Sequence, residues 1–437
     1  MRLPTLPDEA LLEHLQRAAF AYFRENLNPS IGLVADTSRP GSPVSIAVVG
    51  FALSAYPLAV RHGWLSRAEA LDLSLAALRF FAASEQSTSP TASGYKGFYY
   101  HFLDFHTGAR VWRSELSMID SALLIAGMLA ASAFFAGTDT AERELRDLVE
   151  GLYQRVDWCW AQGGEVTIRQ GWKPECGFLH YGWEGYSEAI VLYALALGSP
   201  SQPIAADCYH AWTATYQWEN LYDHDVLFAG PLFIHQFSHA WIDFRGIHDA
   251  FMREKRSDYF ENSRRAAYIQ REYARRNPHG FAGYTQDCWG LSACGGPSDE
   301  KSERTNECRR LFGYAARGVP YGPDDGSLSA PALLASLPFA GEIVLRALRH
   351  MLASYPEMCR GGRLASSFNP SLAGADGRAW VSVGHYGLDQ GIVLLMIENH
   401  RDQGFWRLMR RSPYLRTGLR RAGFQGGWLD AWGRIDG

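Results

Sequence analysis

The sequence has no closely spaced cysteine pair. Its seven cysteines, Cys159, Cys176, Cys208, Cys288, Cys294, Cys308 and Cys359, are scattered, and none forms a CxxC. A zinc ribbon is therefore disfavoured, and the odd count leaves at least one thiol without an intramolecular partner. A long apolar run is also missing. No window offers a run of about 18 or more apolar residues without charge, as a membrane-spanning helix would. The longest candidate, 117–137, carries Asp120 near its start. The N-terminal MRLPTLPDEALLEHLQRAAF has no basic segment followed by an apolar one. It reads as an amphipathic helix, not as a signal peptide, and the chain as given is expected to be soluble. Charge of one sign is not in excess: the net charge is −4 over 437 residues. Neither nucleic acid nor an anionic membrane is an expected partner. There is no G-x-S-x-G elbow, no Walker sequence and no G-x-G-x-x-G after a strand.

Aromatic residues are what the chain has in plenty: 14 Trp, 21 Tyr and 23 Phe. Many sit beside Gly, Asp or His, as in GFYYHFLDF (97–105), QDCWGLSAC (286–294) and GHYGLDQG (384–391). Most such rings fill a core. The remainder suit a groove for flat, weakly polar ligands such as sugars.

Helical periodicity dominates the rest. Apolar positions recur at three and four residues over 8–26, 45–61, 66–86, 116–136, 139–158, 184–198, 203–219, 230–241, 248–276, 329–338, 340–354 and 386–410. Ser66 and Asp139 stand where caps belong. Strand-like pieces at 164–172 and 378–386 are short and isolated. Long loops rich in Gly and aromatics fall at 86–115, 158–183, 277–328 and 355–388. The pattern predicts an all-α fold, an (α/α)6 toroid of six inner and six outer helices. Its long loops would form a cleft at one end. No linker or repeat divides the chain, so 1–437 is expected to be a single domain.

Three acids stand out. In YGWEGYSEAIVLYALALGSP (181–200), Glu184 and Glu188 are spaced to share one helical face. Glu184 is accounted for as a first-turn charge. Glu188 runs straight into an apolar helix, where a carboxylate must pair with a cation or take a raised pKa, as a general acid needs. Asp120 leads into a buried helix in the same way, with Glu115 about a turn earlier, and so does Asp389. Acids at three helix starts of a toroid would converge on one cleft. By contrast, Asp324 and Asp325 in GVPYGPDDGSLSAP read as a turn with an Asx bond.

One segment raises a metal question. His235, His239 and Asp243 recur at four-residue steps, but Gln236 stands where a zinc protease carries Glu. Packing or ligand hydrogen bonding is the better reading, and no metal or cofactor is expected.

Six separated blocks, in order, resemble the bacterial glycoamylase-like domain proteins, and among them glycoside hydrolase family 144, the β-1,2-glucanase group. The blocks are 32–70, 96–110, 186–200, 233–249, 259–294 and 386–401. The resemblance covers nearly the whole chain. It implies an (α/α)6 barrel that hydrolyses β-1,2-glucan, or a related β-glucan or its oligosaccharides, by an inverting carboxylate mechanism without metal. Residue by residue, it places catalytic acids at Glu188, Asp120 and Asp389. Within the matched blocks and their flanks, it implies sugar contacts from Tyr100, His101 and Glu115, and from Trp183 and Tyr186. Further contacts are implied at His239, Arg245, Asp287, Trp289 and Tyr386. A glucan or oligosaccharide substrate and a monomer are the implied partner and state. Two positions depart from the family pattern. Ser117 stands where endo-acting members often carry Asp, and Cys294-Gly295-Gly296-Pro297 where Asp-Gly-Pro is usual.

Two other functions compete. A transglycosylase or polysaccharide lyase could use the same toroid, since fold does not fix function. A lyase should show a basic cleft, against which the clustered acids argue. A non-catalytic glycan-binding protein could keep the groove, with the Ser117 and Cys294 departures as its only support.

Overall fold

Ser66 begins the most completely capped helix. Its hydroxyl accepts the Glu69 amide while the Glu69 carboxylate accepts the Ser66 amide, a reciprocal box that satisfies two of the backbone donors a helix start leaves over. Asp139 caps its helix as expected, accepting the Glu142 amide. The computed structural model describes residues 3–298, 310–372, 374 and 376–431. Cys308 and part of the 277–328 and 355–388 loops lie outside the described residues.

Sixteen α-helices are present among them. They are α1 Asp8–Glu25, α2 Ile46–Arg61, α3 Arg67–Ala83, α4 Met118–Phe134, α5 Thr140–Gln154 and α6 Ile190–Gly198. Next come α7 Ala206–Thr213, α8 Phe237–Trp241, α9 Ala250–Glu254, α10 Tyr259–Arg276 and α11 Ala330–Ala335. The last are α12 Leu337–Ser354, α13 Gly387–Arg401, α14 Gly404–Met409, α15 Pro413–Arg421 and α16 Gly427–Ala431. The described strands are two to four residues long and pair in twos, apart from one three-stranded sheet. The fold is mostly helical. No described helix is long and apolar enough to cross a membrane.

Several expected helices are cut. The 184–198 segment becomes helical only at Ile190, because Gly185 takes φ +75° and the chain before it is irregular. Glu184 and Glu188 therefore do not share a helical face. The 248–276 and 386–410 segments each break into two, at Arg256 (φ +51°) and Gln403 (φ +62°). The 230–241 segment is a 3-10 turn, Leu232–His235, followed by the short α8.

The chain divides into two compact units, Met1–Tyr22, Gln217–Ala240 and Tyr259–Asp402 in one, Phe23–Tyr216, Trp241–Asp258 and Gln403–Gly437 in the other. In the second, α2, α4 and α6 are buried on every side over most of their length, whereas α3 and α5 bury one stripe. In the first, α11 and most of α13 are buried, while α12 is amphipathic. Helices apolar all round need neighbours on every side; striped ones face water.

Glycine sets how closely the buried helices approach. A Cβ at Gly127 of α4 would lie 2.0 Å from the Gly50 carbonyl oxygen of α2, and one at Gly418 of α15 would lie 1.7 Å from the Ala194 oxygen of α6. Gly127→Val is expected to destabilise the protein by about 1–3 kcal/mol or more, because backbone must move to admit the side chain. Thermal unfolding reads this directly, and an unchanged midpoint would contradict the close α2–α4 crossing.

Candidate active site

Short extended pieces lead into the buried helices and fix the site. Val44–Ser45, feeding α2, pairs with Phe102–Leu103; Leu116–Ser117, feeding α4, pairs with Gly171–Lys173. His101 is clamped between them. Its amide donates to the Glu115 carbonyl at 2.9 Å, and its carbonyl accepts the Ile46 amide at 3.3 Å. The imidazole is thus held between the starts of α2 and α4.

Its ring nitrogens face two of the expected carboxylates. Nδ1 lies 2.9 Å from Glu115 Oε1, and Nε2 lies 3.6 Å from Asp120 Oδ2. Burial works against a charged imidazole here, but Asp120, Glu115 and Asp36 outweigh it and raise its pKa to about 9. His101 is therefore an imidazolium at neutral pH. The Ser117 hydroxyl, the N-cap of α4, donates to Asp120 Oδ2 at 2.5 Å and accepts the Asp120 amide at 3.2 Å. The departure at Ser117 is thus an orienting group for Asp120.

Glu188 lies in the turn two residues before α6, half-buried. Burial pushes its carboxyl up to about 7; a hydrogen bond from its own amide pulls down, and the negative charge of Asp120 pushes up again. Two acids of this unit, Glu188 and Asp120, therefore feel one another's charge. The turn is held from behind. The Gly185 amide donates to the Trp212 carbonyl at 3.2 Å, and the Trp212 indole donates back to the Gly185 carbonyl at 2.6 Å. The Tyr193 hydroxyl donates to the Trp183 carbonyl at 3.0 Å. Trp183 is half-buried, and Tyr186 sets its ring edge-on to Tyr216, with centroids 5.8 Å apart. Glu184 is exposed.

Asp36 joins this cluster and was not expected. Burial raises its pKa to about 6, against His101 and Arg39, which lower it, while Asp120 adds to the rise. Asp36 lies two residues after the buried strand Leu33–Val34, within GLVADTSRPGSP, where no periodic pattern marks it.

Other expected contacts are occupied differently. Tyr100 is fully buried beneath the Arg110 guanidinium, 4.5 Å from its ring centre, and Arg110 in turn clasps Glu175 at 2.8 and 3.1 Å. Arg245 is bonded to Asp243 at 2.8 and 2.7 Å and lies over the Trp406 ring. Asp389, Tyr386, Asp287, Trp289 and His239 belong to the other unit. There, Tyr386 precedes α13 and Asp389 is its third residue, at the start of a buried helix as expected. Trp289 is fully buried, and Asp287 accepts Arg346 at 2.6 Å.

The remaining motifs make contacts within the protein. Arg317 and Asp325 form an ion pair with both side chains fully buried, and Arg317 also donates to the Cys294 carbonyl at 2.9 Å. Burial pushes the Cys294 thiol up to about 12. Asp324 accepts Tyr273, Tyr284 and the Gly326 amide, the last being the expected Asx bond. His235 has Nε2 3.0 Å from the Ala229 carbonyl, and His239 has Nε2 3.0 Å from the Ser263 hydroxyl. Asp243 lies beyond the end of α8 and is taken by Arg245 and Arg410. The four-residue spacing therefore does not continue along one helix through all three. Among the described residues no group of three or more His, Cys, Asp or Glu could hold a metal ion.

The His101 cluster has a thermodynamic signature. Its folded pKa of about 9 lies above the unfolded value near 6.5, so its stabilisation is fully present below pH 6.5 and lost as pH rises through 9. Between pH 7 and 9, stability should fall by about 1–3 kcal/mol more in the parent than in His101→Gln. Urea titrations across that range check it; equal slopes would contradict the imidazolium.

Comparison with known proteins places these features in a wider set. The Glycoamylase family model, described as "Putative glucoamylase", matches residues 180–413. An exo β-1,2-glucooligosaccharide sophorohydrolase (non-reducing end) of Parabacteroides distasonis is 25% identical over 453 aligned positions, covering 95% of this chain. The chain spans 58% of that relative's length. A Bacteroides uniformis crystal structure described in the family's own words is 27% identical and covers 97% of this chain and 99% of its own, with a TM-score of 0.85. An endo-β-1,2-glucanase from Chitinophaga pinensis, solved with sophorotriose and glucose, shares the fold at 24% identity and a TM-score of 0.82, over 97% of this chain and 99% of its own.

Proposed function

The chain belongs to the Glycoamylase family, and from that membership we propose that it is a glycoside hydrolase acting on β-1,2-glucan or its oligosaccharides. The names of the relatives supply the linkage. The observation that carries the chemistry is the raised carboxyl of Glu188 within the electrostatic reach of Asp120. Glu188 is the proposed general acid: protonated near neutral pH, it gives its proton to the glycosidic oxygen as that bond breaks. Asp120, oriented by Ser117 and faced by His101, is the proposed base. It takes a proton from water as the water oxygen bonds the anomeric carbon from the opposite face. An inverting pair needs about 6.5–9.5 Å between carboxyls to admit that water. Asp389 is retained as a proposed catalytic acid on the resemblance alone. Trp183 and Tyr186 are proposed as sugar-facing rings.

The reading takes 1–437 as one hydrolase domain with the (α/α)6 arrangement. The alternation of wholly buried and striped helices supports it.

Incubation with linear β-1,2-glucan, followed by thin-layer and mass analysis, tests the activity. A ladder of oligosaccharides indicates endo cleavage, and disaccharide alone indicates exo release. An unchanged polymer would leave a glycan-binding protein instead. Chelation with EDTA is expected to leave turnover unchanged, because the His235 and His239 rings already have partners and Asp243 is held by two arginines. Activity lost to chelator and restored by zinc would move the site to those residues.

A further inference from the structure

Next to the acid cluster, within the same unit, lies a cavity of about 600 Å³ between the 35–43 loop and the 104–112 hairpin. Thr37, Arg39, Asp104 and His106 supply polar groups to its wall, and Trp112 supplies a large ring. Trp112 is 70% exposed. An indole exposed at that level leaves a broad ring face open to a flat, weakly polar ligand.

The backbone adds an independent observation. Trp112 and Arg113 both take left-handed φ, +56° and +49°. For bulky residues this conformation is disfavoured, and it persists only where the surroundings impose it. Here they do. The Val111 amide donates to the Phe102 carbonyl at 3.1 Å and the Ser114 amide to the Val111 carbonyl at 3.0 Å, while Arg110 Nε donates to the Ser114 carbonyl at 2.6 Å. A strained tip pinned on both sides holds the indole outward.

The tip is tied to the acids through stacked rings. Trp112 leans on Phe102, with centroids 5.1 Å apart, and Phe102 stacks on His101 at 3.9 Å and 15°. On the loop side, Ala35 and Thr37 line the cavity, while Asp36 between them acts on His101. In an extended segment neighbouring side chains point to opposite sides, so one loop serves both places.

We propose that this cavity is an accessory saccharide subsite, with the Trp112 indole as stacking face for a glucose unit of a chain whose reacting linkage lies at the acid cluster. It rests on the hydrolase reading and extends it, because such a subsite favours long glucans over short ones. Thr37, Arg39 and Asp104 offer hydroxyl partners of both donor and acceptor kind.

The test uses the full chain with Glu188→Gln, so that bound glucan is not consumed. Calorimetric affinities are measured for linear β-1,2-glucan and for sophorotriose. Adding Trp112→Ala should weaken the polymer about tenfold more than the trisaccharide, and Trp112→Phe should restore most of the loss. In the Glu188→Gln chain with Trp112 intact, N-bromosuccinimide oxidation of Trp112, mapped by mass spectrometry, should be slowed by the polymer; this reading stands even if Trp112→Ala fails to fold. Equal losses for the two ligands, unprotected Trp112, or no polymer binding at all would each overturn the subsite. Failure of the hydrolase reading shows separately, as intact glucan after incubation with the parent chain.

Discussion

Glu188→Gln is expected to lower turnover on β-1,2-glucan by about two to four orders of magnitude, the usual worth of a positioned general acid. The amide keeps the shape of the side chain and can still bond a sugar hydroxyl, but it has no acidic proton to give the leaving oxygen. The turn that carries position 188 is fixed by Gly185, Trp212 and Tyr193, none of which the substitution touches, so the fold should persist. KM should change little. The alkaline limb of the parent profile, which reflects loss of the Glu188 proton as pH passes about 7, should vanish from the residual rate. Glu184→Gln is the control. Glu184 is exposed and lies outside any helix, so removing its charge should leave turnover within about twofold. Near-native turnover in Glu188→Gln would make Glu188 structural and send the search to Asp120 and Asp389.

Asp120→Asn should cost a comparable factor, about two to four orders of magnitude. The asparagine can still accept the Ser117 hydroxyl but cannot take a proton from water. This variant has a second readout. Asp120 is the largest of the influences that raise the His101 pKa, so removing its charge should shift the His101 titration, followed by NMR, toward the ordinary histidine value. A purely structural Asp120 would move the titration without the loss of turnover. The double variant Glu188→Gln, Asp120→Asn should lose far less than the product of the two single losses, because the proposed acid and base would act on one transition state.

What the sequence made legible was local. Ser66 and Asp139 cap the helices they were expected to cap, because a cap needs only its own helix. Asp120 and Asp389 are third residues of buried helices, since the apolar run after each is visible in sequence. The mostly helical fold followed from the same periodicity. Breaks that depend on distant partners were not visible. The start of α6 at Ile190 depends on the exchange between Gly185 and Trp212. The stop at Gln403 is a single left-handed residue. One missed element was readable: Ser412 followed by Pro413 is a cap and first-turn proline, and it opens α15. In the site, the His101–Glu115 contact joins residues brought together by strand pairing, so spacing could not announce it. Asp36 sits in a loop with no periodicity at all. The buried Arg317–Asp325 pair likewise depends on tertiary enclosure.

Proton NMR during the first turnovers on linear β-1,2-glucan tests the central claim most directly, because it reads bond cleavage and stereochemistry together. The account predicts new reducing ends that appear as the α-anomer and relax to the mixture later, as inversion of a β-linkage requires. New reducing ends born as the β-anomer, or none formed, would contradict it.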